Sequence, residues 1–177
     1  MTCTLTTGRQ LDCKDFIGGI RTVMFQVVAD YTPTYSGTGV LTAIAADTVF
    51  RYELAKGTGN FTEAIQSAPE NGTIFYEGVV NIKLHKLTNE DRNELELLVQ
   101  NRLVIYILDN NNNQWVIGES NGAELTAGSG STGTALGDMN GYDLTFTSQE
   151  PTPMRSAGTG TTNPFDNISN LTVAPAY

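Results

Sequence analysis

Thr73-Ile-Phe-Tyr-Glu-Gly-Val-Val-Asn-Ile-Lys-Leu84 is the stretch whose reading decides the fold. Ile74, Tyr76, Val80, Ile82 and Leu84 share one face, and Thr73, Glu77, Asn81 and Lys83 share the other. That period of two predicts a half-buried strand. Thr88-Asn-Glu-Asp91 then offers an N-cap hydroxyl with acids in the first turn, where the positive end of a helix dipole favours them. Leu95, Leu98 and Val99 follow at helical spacing, and Arg102 stands near the negative end. An amphipathic helix is therefore expected over about residues 88–102. Leu103-Val-Ile-Tyr-Ile-Leu108 is apolar on both faces, as a central strand covered on one side by that helix would be. Asp109-Asn-Asn-Asn-Asn113 reads as the turn that ends it.

Working outward, residues 21–29 place Val23, Phe25 and Val27 opposite Met24 and Val28, which predicts an early strand. Residues 30–39 form a loop or the tip of a projecting hairpin, by their Pro, Gly and Ser content. Strands are expected at residues 40–46, 48–54 and 61–67. Asn71-Gly72, Asn121-Gly122 and Asn140-Gly141 point to tight hairpins, since both central residues of a type I′ turn need positive φ. Further strands fall at residues 114–118, 123–127 and 142–149. The expected class is mainly β, an antiparallel β-sandwich or barrel with one flanking helix. Residues 1–150 would form that domain. Residues 151–177, broken by Pro151, Pro153, Pro164 and Pro175, would form an extended arm ordered against a neighbour, or a flexible tail.

A length of 177 residues supports one domain with a real core. Hydrophobic content of 40% and charged content of 16% describe a globular chain, and the net charge of −9 is unevenly spread. From residue 103 onward there are seven acids and a single base, Arg155. Stable nucleic-acid binding is thereby disfavoured, because phosphate contacts require Lys and Arg. No apolar run reaches the ~20 residues of a membrane helix, and the N-terminus lacks a charged-then-apolar signal pattern. The chain is expected to fold in a cytoplasm, where Cys3 and Cys13 would be free thiols rather than a disulfide across a turn at Gly8. The four Asn-X-Ser/Thr matches are then chance products of composition.

The motifs with a chemical reading are weak. Gly128-Ser-Gly-Ser-Thr-Gly133 matches the dinucleotide fingerprint in letters, but a strand pattern rather than a helix follows, so a flexible hairpin loop is expected. Residues 109–113 alternate oxygen ligands as a calcium loop does, yet Gln114 replaces the required Gly and Ser120 the closing Glu. His85 is the single histidine, beside Lys83 and Lys86, with no partner for a base or a zinc site in the sequence. No catalytic residue, metal ligand or cofactor site is assigned, and the chain is read as a non-enzyme. Aromatics such as Phe50, Tyr52, Trp115, Tyr142 and Phe146 are compatible with a carbohydrate-binding β module, although core packing explains most of them. Phe75 and Val79 stand on the polar face of the opening strand, so another subunit is expected to cover part of it.

Several segments, in order, resemble virion structural proteins of tailed bacteriophages, and most of all major tail tube proteins. They are Cys3-Thr-Leu-Thr6, Leu11-Asp-Cys-Lys-Asp-Phe-Ile-Gly-Gly-Ile20, Phe50-Arg-Tyr-Glu-Leu-Ala-Lys-Gly57 and Asn71-Gly-Thr-Ile-Phe-Tyr76. Trp115-Val-Ile-Gly-Glu-Ser-Asn-Gly122, Gly137-Asp-Met-Asn-Gly-Tyr-Asp-Leu-Thr-Phe146 and Glu150 complete them. The resemblance implies a β-sandwich or barrel with a flanking helix. It also implies homo-oligomeric, hexameric rings stacked into a tube that delivers DNA, with other tail proteins as partners and the virion as location. It brings no catalytic residue and no cofactor. A head decoration, tail-completion or baseplate protein is the alternative within that class. A channel for DNA calls for walls that repel phosphate, and Glu119, Glu124, Asp138 and Asp143 are the candidate acidic lining.

Overall fold

The computed structural model describes residues 8–9, 14–159 and 165–175. Cys3, Cys13 and part of the N-terminal segments that carry the resemblance lie outside them. Among the described residues the elements are β1 (Ile20–Val27), β2 (Pro33–Tyr35), β3 (Leu41–Glu53), β4 (Gly59–Ala68), β5 (Thr73–His85) and α1 (Asn89–Gln100). They continue with β6 (Leu103–Asp109), β7 (Asn113–Ile117), β8 (Ala123–Ser131), β9 (Gly141–Glu150), β10 (Arg155–Thr159) and β11 (Ser169–Val173). The fold is mainly β with one helix, as the periodicities predict. The Thr88 hydroxyl caps α1 by accepting from the Asp91 N–H at 3.1 Å, and the Asn101 side chain closes the other end by donating to Leu97 O at 2.8 Å.

The strands form one large mixed sheet, with order β11-β3-β1-β6-β8-β9-β5-β4 and a side branch of β7 and β10. All pairings are antiparallel except β11 with β3. The sheet forks at β6. One edge of β6 runs along β1; the other pairs with β7 from Ile105 to Leu108 and with β8 at Leu103. Gly118 sits in the fork between β7 and β8 at φ 76°, where a Cβ would lie 2.7 Å from both Leu103 O and Ala123 N. Only glycine fits there without moving backbone, because both the left-handed conformation and the close approach exclude a side chain.

Two apolar cores lie on opposite faces of β6. On one face Leu103, Ile105 and Ile107 join Val23 and Phe25 of β1, Val80 and Ile82 of β5, Leu144 and Phe146 of β9, and Leu98 of α1. The sheet thus folds back on itself, and the Phe25 and Phe146 rings meet at 4.9 Å across the interior. On the other face Val104, Tyr106 and Leu108 join Met24, and are roofed by Leu41, Ile44 and Val49 of β3 with Ala157, Phe165 and Ile168. The apolar run 103–108 is therefore covered on both sides, by the helix half and by a C-terminal half that periodicity does not reveal.

Several expectations are revised. Residues 155–159 and 165–175, read as an arm or flexible tail, pack within the chain: β10 pairs β7, β11 pairs β3, and Phe165 and Ile168 are buried. With donors matched to acceptors, the buried Gln114 amide donates to Ala157 O at 3.0 Å and accepts from the Phe165 N–H at 2.9 Å. Few large apolar residues suffice because each is inserted into an existing core. Asn71, Asn121 and Asn140 do not adopt positive φ, so the expected type I′ turns are absent; the connections are longer than two residues, and the strain falls on glycines such as Gly72 at φ 64°. Residues 128–131, expected as a loop, continue β8 against β9, and the connection shifts to residues 132–140. Val99, expected on the buried helix face, is exposed, because the strand residues it faces include Gly128 and Gly130, which have no side chains to meet it.

Replacing Gly118 by Ala should lower unfolding free energy by roughly 3 kcal/mol, since strain and backbone overlap combine. Gly72→Ala, at similar φ but with open space around its Cβ position, should cost only about 1 kcal/mol. Equal losses in urea denaturation would contradict the role given to the fork.

Candidate assembly surfaces

Beyond the fork, β8, β9, β5 and β4 form a four-stranded wall whose inner face feeds the first core. Its outer face follows from register: Val79 lies between Thr62 and Thr147, Asn81 between Asn60 and Thr145, and Glu77 between Ala64 and Gln149, while Glu124 lies beside Thr147. Thr145 Oγ1 donates to Asn81 Oδ1 at 2.8 Å, the Thr126 and Thr147 hydroxyls meet at 2.9 Å, and Lys83 Nζ pairs with Asp143 Oδ2 at 3.1 Å. The surface is a polar carpet of short hydroxyl and amide side chains. Phe75 and Val79, the candidate inter-subunit residues, do share it, Phe75 exposed and Val79 half-buried.

Neither long edge of this wall carries a further strand among the described residues, and α1 lies beside β8 with Leu95 and Val99 facing residues 125–130. Among the described residues no strand pairs with the second edge of β4, and beyond Ala123 none pairs with the second edge of β8. Unpaired edges present rows of backbone donors and acceptors that template further pairing.

The four candidate lining acids do not come together. Glu124 and Asp143 stand on the outer face of the wall. Asp138 lies in the 132–140 connection, where its carboxylate accepts from Thr134 N and Ala135 N at 2.8 and 2.7 Å, and those bonds hold its carboxyl below the usual range. Glu119 is elsewhere, in a tight cluster. Its Oε1 accepts from the Tyr31 and Tyr35 hydroxyls at 2.5 and 2.8 Å, and its Oε2 pairs with Arg155 Nε at 3.0 Å. The Arg155 guanidinium also stacks 4.5 Å from the Tyr35 ring centroid. The Glu119 side chain is only 10% exposed, so it ties loops together rather than lining an open surface.

This cluster joins three segments that look unrelated in sequence: the 28–35 region, the turn after Gly118 and the start of β10. A second hidden acid, Glu150, accepts the N–H groups of Ser120, Asn121 and Gly122 at 3.2, 2.9 and 3.2 Å and so holds the same turn from below. A lone base among seven acids was the sequence signal available for Arg155; nothing comparable marks Tyr31 or Glu150. Asp109 Oδ1 accepts from the Asn111 and Asn113 N–H groups at 2.7 and 2.8 Å, so the acid of the calcium-like run organises its own turn. Among the described residues no three His, Cys, Asp or Glu side chains converge as a metal set, and no helix is long and apolar enough to cross a membrane.

Burial, together with hydrogen bonding to Glu119, pushes the Tyr31 phenol well above its ordinary value. Burial pushes Tyr35 up to about 12 from 10.0. A raised phenol pKa favours the protonated fold, so this contribution is complete below pH 10 and is lost as pH rises towards 12. Stability should therefore decline above about pH 10. Tyr31→Phe should lose about 1–3 kcal/mol near neutrality, and its further loss on raising pH should be smaller than that of the unsubstituted chain. An unchanged urea midpoint for Tyr31→Phe would rule this cluster out as a stabilising lock.

Comparison with protein-family models, curated proteins and solved structures finds no match to this chain.

Proposed function

We propose that this chain is a structural subunit of a tailed-bacteriophage virion, of the tail tube kind, which assembles into hexameric rings that stack into a conduit for DNA. The observation that carries the reading is the four-stranded wall with a polar outer face and two edges that carry no further strand among the described residues. A wall of that form becomes closed only by adding β4 of one copy to β8 of the next, since closure is what removes sheet edges. Six copies would contribute about 24 strands, more than the roughly 16–18 that already leave a water-filled channel.

The chemistry of the outer face supports the conduit. Glu77 accepts from the Gln66 and Gln149 amides at 3.4 Å and Glu124 stands beside Thr147, while Lys83 is neutralised by Asp143. Short Thr, Asn and Gln side chains offer phosphate no cationic hold, so DNA would pass without lingering. Phe75 lies on the same carpet near the 69–72 turn, where a neighbouring copy would cover it, and Val79 lies at mid-strand on the channel side. The second core and α1 would then lie to the outside of the ring.

Purified protein at tens of micromolar should show annular particles or tubes by negative-stain microscopy. Deleting the backbone donors of one edge should abolish them while leaving a folded monomer: Ile65→Pro and Ser67→Pro, whose N–H groups face away from β5 on the unpaired edge strand, are the variants to use. A monodisperse monomer at all concentrations would contradict the proposal.

A further inference from the structure

The helix does not fill the space beside β8. A cleft of about 370 Å³ separates Leu95 and Val99 of α1 from residues 125–130 of β8, and every residue that lines it is uncharged. Val99 is 58% exposed there. Leu125, Gly128 and Gly130 belong to the core-facing side of β8, since they lie beside Phe146, Leu144 and Tyr142 of β9. The opposite edge of the wall carries an apolar excess on the same side. Ile65 of β4 is 66% exposed and Ile74 of β5 54%. Ile65 is in step with Phe61, which packs against the first core, and Ile74 is its diagonal neighbour because Ile65 pairs with Tyr76 and Ser67 with Ile74.

Closure of the wall fixes how these two edges meet. Three antiparallel steps, through β9 and β5, leave β4 opposite in direction to β8. Rotation about a tube axis preserves direction, so β4 of one copy meets β8 of the next antiparallel. Strands in a barrel tilt by ~35–45°, and four of them at ~4.8 Å spacing are staggered from copy to copy by roughly four to six residues. Within one subunit Ile65 is level with Asn121, through Tyr76, Glu150 and the Ala123–Ser148 pair. In the sense set by the right-handed twist of strands, a stagger of about four residues brings Ile65 opposite Leu125 of the next copy. Backbone groups agree with that register. Lys83 N donates to Thr58 O, so by alternation Ile65 turns its own N–H and C=O away from β5. Leu125 directs its groups to the edge on which Ala123 pairs with Leu103.

We infer that Ile65 of one copy inserts between Val99 and Leu125 of the next, so that α1 clamps the incoming strand besides covering its own core. The occupant is a second copy of this chain because the cleft borders a strand edge, where an extended segment both fills the space and pairs its backbone. Of the described strands, β4 brings an exposed apolar side chain and free backbone groups to the required level. Val99, which the helical period assigns to the buried face, then becomes buried on assembly. The inference rests on the ring reading for the order of strands, and it adds to that reading the register and the side chains that meet.

Disulfide trapping tests the contact. In a Cys3→Ser, Cys13→Ser background, Ile65→Cys protein is mixed with Val99→Cys protein and oxidised with copper-phenanthroline. A disulfide-linked dimer of the two variants is expected, whereas Leu97→Cys, exposed elsewhere on α1, should give none with Ile65→Cys. Ile65→Asp and Val99→Asp, both at exposed positions and checked for an unchanged urea midpoint, should each raise the concentration needed for assembly by about tenfold or more. Ile65→Asp combined with Val99→Lys in one chain should recover most of that loss. Rings that form without the crosslink, and that neither substitution weakens, would overturn the clamp while leaving the ring proposal standing. The crosslink in open chains without any ring would keep the contact and refute the ring. Neither crosslink nor assembly would refute both.

Discussion

The whole structure depends on one strand that is buried on both faces. β6 has six consecutive buried side chains, and each face needs its own cover. A single sheet cannot supply both covers unless it divides. The division is made at Gly118, where backbone from three strands approaches too closely for any side chain. One branch, through β8, β9, β5 and β4, curls over with α1 to cover Ile105 and Ile107. The other face is closed by β3 and the C-terminal segment over Val104, Tyr106 and Leu108. The polar wall exists because the first branch needs only one apolar face.

Much of this was legible in the sequence, for physical reasons that can be named. The 73–84 alternation, the Thr88 cap and the doubly apolar 103–108 run are local signals, and all three elements stand where those signals put them. The fold class followed from them. What was not legible depends on long-range pairing. Residues 155–159 and 165–175 have too little apolar content to demand burial, and their place is decided by Phe165 and Ile168 entering a core built by other strands. The Asn-Gly pairs announce turns correctly, but turn type depends on how far apart the strand ends lie.

The candidate site shows the same division. Phe75 and Val79 were placed on the polar face by period alone, and they are there. The acids were grouped by sequence proximity, which does not determine direction. Glu119 is turned towards Tyr31, Tyr35 and Arg155, whereas Glu124, five residues later, points outward from β8. Charge counted along a chain becomes a surface property only after register assigns each residue to a face. Glu77, which alternation assigns to the polar side, takes its place on the outer face in Glu119's stead.

The wall gives the proposed assembly a mechanical logic. Edge pairing between copies is directional and satisfies backbone groups that water otherwise solvates, and short hydroxyl side chains let the shared sheet stay smooth on its outer face. Hydrogen exchange, compared between dispersed and assembled protein, tests that claim most directly. The account predicts that amides of β4 and of β8 beyond Ala123 exchange at least about a hundredfold more slowly once assembled, with the core strand β6 unchanged. Edge amides that exchange as fast in the assembly as in the dispersed chain, with new protection confined to α1 or β11, would contradict it.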